Sequence, residues 1–148
     1  MRQSKPVLLQ AAVTLTVPFH DVDPAGLVWH GNYFRYFEAA RCAALDKIDY
    51  SYRQMADSGV VWPVADLQSR FSAPVRFHDV INVEARMTEW EYRMVFEYSL
   101  TQADGALAAS GKTIQVPVDM NDGELLIGAP SVLAERMQAH LELQGQNG

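Results

Sequence analysis

The fold is decided around residues 19–33, which read FHDVDPAGLVWHGNY. The residues just before, 11–19, are rich in β-branched and apolar side chains and predict a strand. Over residues 32–48 the period changes, and apolar residues recur at spacings of three and four, which predicts one face of a long helix. Two Asp residues, an Asp-Pro pair and Gly26 predict a tight turn between these two elements.

The middle of the chain predicts a short helix followed by strands. Residues 50–57 have helical character and are followed by a glycine that ends the helix. Apolar and polar side chains alternate over residues 81–88 and again over residues 94–101, which predicts two strands, and residues 103–105 predict the hairpin turn after them. Strands joined by tight turns run antiparallel, so this part predicts an antiparallel sheet.

The last third predicts one more strand and a terminal helix. The strand is predicted over residues 107–120, with Ile114, Val116 and Val118 on one face. Pro130 opens the final helix at a first-turn position. One face of the sheet needs cover, and the long helix is the largest apolar element that supplies it. The pattern therefore predicts an α+β fold in which an antiparallel sheet wraps around a long central helix.

The overall composition limits the class of protein. A chain of 148 residues with 49% hydrophobic and 20% charged residues predicts a single domain over residues 1–148. The net charge of −6 argues against nucleic acid as a partner, and no apolar run approaches the roughly 18 residues of a membrane span. The one cysteine, Cys42, excludes an internal disulfide and a cysteine-based metal site, and its predicted place is a small buried position in the helix. A cytoplasmic location is the expectation.

The residues between the strand and the helix carry the densest cluster of chemistry-bearing side chains: His20, Asp21, Asp23 and His30. One interpretation is turn chemistry, because Asp and Pro are common in turns for backbone reasons. The other is an acyl-transfer site. The N–H groups at the start of a helix stabilise an oxyanion, and a carboxylate a short loop upstream acts as base or nucleophile. A metal site built from the same histidines and aspartates is a weaker alternative, because the spacing is not typical of metal ligands.

The stretch from Phe19 to Arg41 resembles the opening motif of the 4-hydroxybenzoyl-CoA thioesterase family, and Glu89-Trp90 and residues 120–124 resemble later segments of that family. The resemblance covers nearly the whole chain. It implies a hotdog fold, a single hotdog thioesterase domain, and homodimers that often pair into homotetramers with active sites at the subunit interface.

The resemblance also implies roles for individual residues. The second aspartate of the motif is catalytic, which is Asp23 here, and the backbone N–H near His30 and Gly31 polarises the thioester carbonyl. His30 stands where the aroyl-CoA enzyme has a tyrosine and where some short-chain acyl-CoA relatives have a histidine, so its ring is a second catalytic candidate. The remaining implied substrate contacts are Trp29, Gly31, Asn32, Tyr33 and, for the coenzyme A phosphates, Arg93.

The implied activity is hydrolysis of an acyl-CoA or aroyl-CoA thioester, without a cofactor or a metal. Two alternatives stay open at this point. One is a thioesterase that acts on an acyl carrier protein, although two acidic proteins dock less readily. The other is a non-catalytic acyl-CoA-binding protein on the same fold, because a fold does not prove an activity.

Overall fold

The structure is a computed structural model that describes residues 5–147. The strands are β1 Leu9–Thr16, β2 Val60–Val61, β3 Val64–Phe71, β4 Val80–Glu89, β5 Met94–Gln102, β6 Leu107–Gln115 and β7 Val118–Asp119. The helices are α1 Tyr33–Asp46, α2 Tyr52–Asp57 and α3 Ser131–Asn147. Short 3-10 turns occupy Phe19–Asp21 and His30–Asn32, on either side of the loop that leads into α1.

The main sheet has five antiparallel strands in the order β1-β4-β5-β6-β3, and α1 packs against the inner face of β1, β4 and β5. The predicted alternation holds along most of both central strands, with these side chains buried on the α1 side: Ile81, Val83, Ala85 and Met87 in β4, and Met94, Phe96, Tyr98 and Leu100 in β5. It breaks down where the two strands meet, since Thr88 and Val95 are buried as well. A sheet that wraps one long helix is the α+β architecture that the sequence predicts.

The boundaries of the first elements differ from the prediction. β1 ends at Thr16, three residues early, because Val17-Pro18 leads into a 3-10 turn and proline has no N–H for a ladder. The long helix begins at Tyr33 and ends at Asp46, shortly before Asp49, which has a φ of 56° in the left-handed region.

The predicted strand over residues 107–120 is wrong in its second half. β6 stops at Gln115, and Val118–Asp119 turns away to pair with β2 in a separate two-stranded sheet. Pro117 lies at this break, where a residue without an N–H cannot continue the ladder.

The predicted inner face of β6 is also wrong. Ile114 is only half-buried, whereas Thr113 and Gln115 are buried against the core. Both polar side chains are bonded there: the Thr113 hydroxyl lies 2.7 Å from the Tyr98 hydroxyl, and Gln115 donates to the Trp62 carbonyl at 2.8 Å. These hydrogen bonds make the polar groups tolerable inside, although Gln115 Oε1 has no partner within the described residues, and apolar periodicity alone points to the wrong face.

The strand β3 lies at one edge of the sheet, and all eight of its residues are exposed. At the other end of the chain, α3 buries Leu133 and Met137 and is fixed by Arg136, whose Nη1 donates to the Asp49 carbonyl at 2.8 Å. Across residues 5–147, none of the helices combines the length and the apolar character needed to cross a membrane.

Candidate active site

Asp23 lies in a tight loop that fixes one of its carboxylate oxygens. Oδ1 accepts hydrogen bonds from the N–H groups of Ala25 at 2.9 Å and Leu27 at 3.1 Å, and the Asp23 N–H donates to the Leu27 carbonyl at 2.7 Å. Gly26 has a φ of 81°, which lets the chain reverse within these few residues. In the part of the chain that the structure describes, Oδ2 of the half-buried Asp23 has no hydrogen-bond partner, so it is the oxygen available for chemistry.

Asp21 has a different environment, although it is only two residues away. Its side chain is buried, accepts a hydrogen bond from the Tyr36 hydroxyl at 2.7 Å, and is paired with the Arg35 guanidinium. Its carbonyl accepts from the Asn32 side chain at 2.9 Å and from the Trp29 N–H at 3.1 Å. Burial, together with the Asp21 carboxylate, raises the pKa of the Tyr36 hydroxyl, so this group stays a donor. Asp21 therefore anchors the loop to the start of α1.

The chain enters α1 through His30 and Gly31, and the N–H groups of both are free of partners within residues 5–147. The next N–H, that of Asn32, donates to the Trp29 carbonyl at 2.9 Å. The Trp29 indole lies directly over Gly31, where a Cβ atom would collide with the ring. Free N–H groups at a helix start carry a partial positive charge, so this entrance is suited to a developing oxyanion.

An open cleft of about 350 Å³ lies beside the helix entrance. One wall is formed by Leu27, Val28, His30 and Tyr33, and the other by residues 71–75, which begin with the last residue of β3. The walls are joined by the Val28 N–H, which donates to the carbonyl of Val75 at 2.8 Å, and by the rings of Tyr33 and Phe71, whose centroids are 4.8 Å apart. Burial raises the pKa of the Tyr33 hydroxyl. The lining is largely apolar, as a site for an acyl group needs to be.

The structure brings some of the predicted site residues together on this cleft. His30 and Tyr33 line it, and His30 is exposed. Asp23 does not line the cleft itself, but its carboxylate accepts a hydrogen bond from the N–H of Leu27, which does line it. Gly31 and Asn32 do not line the cleft, and the Asn32 side chain bonds the helix entrance to the Asp21 carbonyl. Trp29 is 54% exposed, and its ring centroid is 5.0 Å from that of His30.

Arg93 does not join this group within one chain. It lies beyond the end of β4, the ten-residue strand that begins beside the loop leading to Asp23 and spans about 30 Å. Its Nε donates to Glu89 at 2.6 Å, and this pairing lowers the pKa of the Glu89 carboxyl. A role for Arg93 in binding coenzyme A stays a prediction.

Two features of the site were not predicted from the sequence. The first is the wall at residues 71–75, whose only signal is a proline, Pro74, shortly after the end of a strand. The second is the Asp21, Arg35 and Tyr36 network, because a polar residue on a helix start is usually solvated. The network also bears on the metal alternative, since it occupies the carboxylate of Asp21. Over residues 5–147 no three His, Cys, Asp or Glu side chains are grouped as metal ligands are.

A buried guanidinium lies further along the same helix. Arg41 is only 2% exposed, and its Nη2 donates to the Tyr52 hydroxyl at 2.8 Å. Within the described residues, its Nε and Nη1 have no hydrogen-bond partner, although the charge lies 5.7 Å from the centroid of the Phe34 ring. Arg41 lies at the part of the core next to β5, and the sequence alone gives no sign that its side chain is buried.

Comparisons of this chain with known families and known proteins agree with one another. The family model of the thioesterase-like superfamily matches residues 17–141. A 4-hydroxybenzoyl-CoA thioesterase from Pseudomonas sp. (strain CBS-3) is 31% identical over 118 residues, which is 74% of this chain and 83% of that protein. The acyl-CoA thioester hydrolase YbgC of Escherichia coli O6:H1 is 25% identical over 104 residues, 70% of this chain and 78% of that protein.

Among solved structures, a DHNA-CoA thioesterase from Staphylococcus aureus superposes with a TM-score of 0.82 at 22% identity, and the match covers 93% of each chain. At this identity the likeness speaks for the fold. Together with the family match, it confirms the predicted hotdog fold.

Proposed function

The chain belongs to the thioesterase-like superfamily, and on that premise we propose that it hydrolyses the thioester of an acyl- or aroyl-coenzyme A, with Asp23 as base or nucleophile. The family match confirms the predicted family and the predicted class of enzyme, a thioesterase. The observation that carries the proposal is the pairing of a half-free carboxylate, at Asp23, with the free N–H groups of His30 and Gly31 at the helix entrance that follows, beside an apolar cleft that His30 lines.

Asp23 acts in one of two ways in this proposal. As a nucleophile, Oδ2 attacks the thioester carbon, the C–S bond breaks, coenzyme A leaves as a thiolate that takes up a proton, and water hydrolyses the resulting anhydride. As a general base, the carboxylate takes a proton from water, and the hydroxide attacks the same carbon. The C–S bond then breaks, and the departing coenzyme A thiolate takes up a proton. Both routes are supported by the two N–H groups on Oδ1, which hold the carboxylate in one orientation.

The carbonyl oxygen of the thioester gains negative charge in either route. We assign its stabilisation to the N–H groups of His30 and Gly31, which point out of the helix start. The exposed imidazole of His30 is the second catalytic candidate, as a group that orients water or contacts the acyl group. Trp29 and Asn32 support this entrance through their contacts with Gly31 and Asp21.

The lining of the cleft bears on the substrate class. Within one chain, about 350 Å³ of mainly apolar space, open on one side, accommodates an aromatic ring or a short aliphatic chain. The names of two relatives agree with this range: the Pseudomonas protein is a 4-hydroxybenzoyl-CoA thioesterase, and the protein from E. coli is an acyl-CoA thioester hydrolase. Aroyl-coenzyme A and short acyl-coenzyme A esters are therefore the proposed substrates.

The proposed assembly is a homodimer, or a homotetramer of two dimers, with the active site at the interface. Support comes from the open side of the cleft, whose second wall starts at Phe71 at the end of the fully exposed strand β3. A cytoplasmic location stays a prediction of the sequence.

The test is thiol release from a panel of esters: 4-hydroxybenzoyl-, benzoyl-, butyryl-, hexanoyl- and palmitoyl-coenzyme A, with hexanoyl acyl carrier protein alongside. We expect hydrolysis of the aroyl or short-chain coenzyme A esters, and the kcat/KM of the palmitoyl ester measures whether the assembled site leaves room for a longer chain. Hydrolysis of the carrier-protein ester alone would contradict the coenzyme A assignment. Tight binding of an ester without any turnover would contradict the catalytic one.

A further inference from the structure

The outer face of the main sheet, which is turned away from α1, carries an open polar pocket of about 560 Å³. Among the described residues, it shares no lining residue with the cleft beside the helix entrance. Three of its lining side chains are cations, Arg70, Arg86 and Lys112, and one is acidic, Glu97. Because the chain has a net charge of −6, the lining of this pocket is opposite in sign to the molecule as a whole.

Strand pairing explains how this pocket is built. Ser99 in β5 lies opposite Ser110 in β6, and Ser110 lies opposite Arg70 in β3. Two residues further along, Glu97 lies opposite Lys112. Opposed residues of an antiparallel pair place their side chains on the same face, so the two short serines form the floor of the pocket and the three longer side chains form its rim.

The neighbouring residues show that the pocket lies on the outer side of the sheet. Gly111 lies between two pocket residues of β6, and a Cβ atom added there would lie 2.6 Å from the ring of Phe37 in α1. Tyr98 lies between two pocket residues of β5, and its side chain is buried in the core. Side chains alternate between the two faces along a strand, so the pocket residues on either side of Gly111 and Tyr98 point away from the core.

One cation of the pocket is held in place and prepares a hydrogen-bond donor on the floor. The Arg86 Nη1 is paired with the Glu84 carboxylate at 2.6 Å, and its Nη2 donates to the Ser99 hydroxyl at 3.0 Å. A hydroxyl that accepts a hydrogen bond still has its own proton to donate. Within the described residues the Ser99 hydroxyl has no acceptor for that proton, so it is available to a ligand.

The other two cations carry free positive charge. Neither Arg70 nor Lys112 belongs to an ion pair within residues 5–147, whereas Arg35, Arg93 and Arg136 all have carboxylate partners there. A guanidinium and an ammonium group supply several N–H donors and no acceptor. The rim of the pocket therefore offers charge and donors that the fold itself does not use.

We propose that this outer pocket binds a phosphate group of a small molecule, through Arg70, Lys112 and the hydroxyls of Ser99 and Ser110. Phosphate oxygens accept strong hydrogen bonds from guanidinium, ammonium and hydroxyl groups, which are the donors present here. Two sources share this chemistry. One is the coenzyme A of the proposed substrate, since Arg70 directly precedes Phe71, which lines the cleft. The other is a free phosphorylated metabolite.

The site is tested by titrating the protein with inorganic phosphate and with adenosine 3′,5′-bisphosphate while the backbone amide signals are followed by NMR. We expect the largest shifts at Ser99, Ser110 and Lys112. The Kd obtained from these signals should rise by about fivefold or more in Lys112→Gln and in Arg70→Gln, because each variant removes a charged donor. Arg53→Gln is the matched control, since it removes the same charge from an exposed position in α2 and should leave the Kd unchanged.

Removing the acidic side chain of the rim supplies a test in the opposite direction. Glu97 repels a bound phosphate, so Glu97→Gln should lower the Kd by about twofold or more. Glu91→Gln removes the same charge at another exposed position and should have no such effect. The proposal is overturned if the pocket amides do not shift, or if Arg70→Gln and Lys112→Gln bind phosphate as tightly as the wild type does.

The source of the phosphate is decided by comparing two esters of the same acyl group, butyryl-coenzyme A and S-butyryl pantetheine, which carries no phosphate. If the pocket holds a phosphate of coenzyme A, Lys112→Gln should raise the KM of the coenzyme A ester by about fivefold or more and leave that of the pantetheine ester unchanged. Unchanged KM values for both esters, together with weaker phosphate binding, would assign the pocket to a free phosphorylated metabolite. Phosphate binding is measured without any ester, so a failure of the proposed function is distinguishable from a failure of this site.

Discussion

Asp21 and Asp23 are two residues apart in one loop, and the fold gives their carboxylates different partners. Asp21 is buried and satisfied by Arg35 and Tyr36, whereas Asp23 is half-buried with one oxygen free among the described residues. A satisfied buried carboxylate holds structure, and a half-free one at the edge of a cleft is suited to reaction. The sequence places both in one cluster and, by resemblance, selects Asp23.

The anchoring role of Asp21 predicts a stability cost for Tyr36→Phe. The variant removes the hydroxyl that donates to the buried carboxylate at 2.7 Å, and hydrogen bonds to charged groups contribute about 1.5–3 kcal/mol. We expect the free energy of unfolding in urea to fall by that amount. Tyr92→Phe is the matched control, because Tyr92 is 69% exposed, and it should stay within about 0.5 kcal/mol of wild type. Equal losses in the two variants would contradict the role of the network.

The contact of Trp29 with Gly31 predicts a loss of activity for Gly31→Ala. The added Cβ collides with the indole and displaces the free N–H groups at the helix entrance. Losing an oxyanion donor costs about 10²–10³ in kcat, so a fall of at least tenfold in kcat/KM is expected.

The double variant Gly31→Ala with Trp29→Ala removes the collision and should recover part of that loss. Gly128→Ala is the control, because its Cβ meets only an ordinary contact at 3.4 Å. Unchanged activity in Gly31→Ala would show that the entrance geometry does not matter.

At the scale of elements, the strands β4 and β5 and the long helix follow from periodicity, because apolar side chains dominate their core faces. The buried Arg41 of the helix departs from that pattern. The end and the face of β6 do not follow, since Pro117 ends its ladder and Thr113 and Gln115 face inward with hydrogen-bond partners. The cleft wall at residues 71–75 cannot be predicted from the sequence either, because it forms only when these residues pack against Val28 and Tyr33. The local sequence pattern predicts which faces are apolar, but it does not predict contacts between distant segments.

The inward face of β6 predicts coupling between Thr113 and Tyr98. Their hydroxyls are 2.7 Å apart and buried, so Thr113→Val leaves the Tyr98 hydroxyl without this partner at a cost of about 1–3 kcal/mol. Tyr98→Phe removes the Tyr98 hydroxyl itself, so in the double variant no Tyr98 hydroxyl is left without a partner. In a double-mutant cycle by urea unfolding, the double variant should be less destabilised than the sum of the single variants. Additive losses in the free energy of unfolding would contradict the hydrogen bond between Thr113 and Tyr98.

At the scale of the whole molecule, the core holds several tyrosines whose hydroxyls resist ionisation. Burial raises the pKa of Tyr33, Tyr36, Tyr50 and Tyr98. The folded state therefore binds these protons more tightly than the unfolded state. The resulting stability is present below the ordinary tyrosine pKa of about 10 and is lost as the pH rises beyond it.

This linkage predicts alkaline unfolding that begins near pH 10. Thermal unfolding followed by circular dichroism between pH 8 and 11.5 should show a steady Tm up to about pH 9.5 and a steep decline above it. Tyr36→Phe removes one of the titrating groups and should flatten that decline relative to its own Tm at pH 8. A Tm that stays constant to pH 11.5 would contradict the account.

The whole-molecule account depends most on Asp23 as the reacting carboxylate, and one comparison tests it directly. Asp23→Asn keeps an oxygen for the N–H groups of Ala25 and Leu27, so the loop is preserved while the charge is lost. Asp104→Asn is the matched control, since Asp104 accepts from the Ala106 N–H at 2.9 Å in a similar turn away from the cleft. In steady-state thiol release from the best ester, Asp23→Asn should lower kcat by about 10²–10⁴, and Asp104→Asn should leave it unchanged. Equal activity in the two variants would contradict the assignment of Asp23.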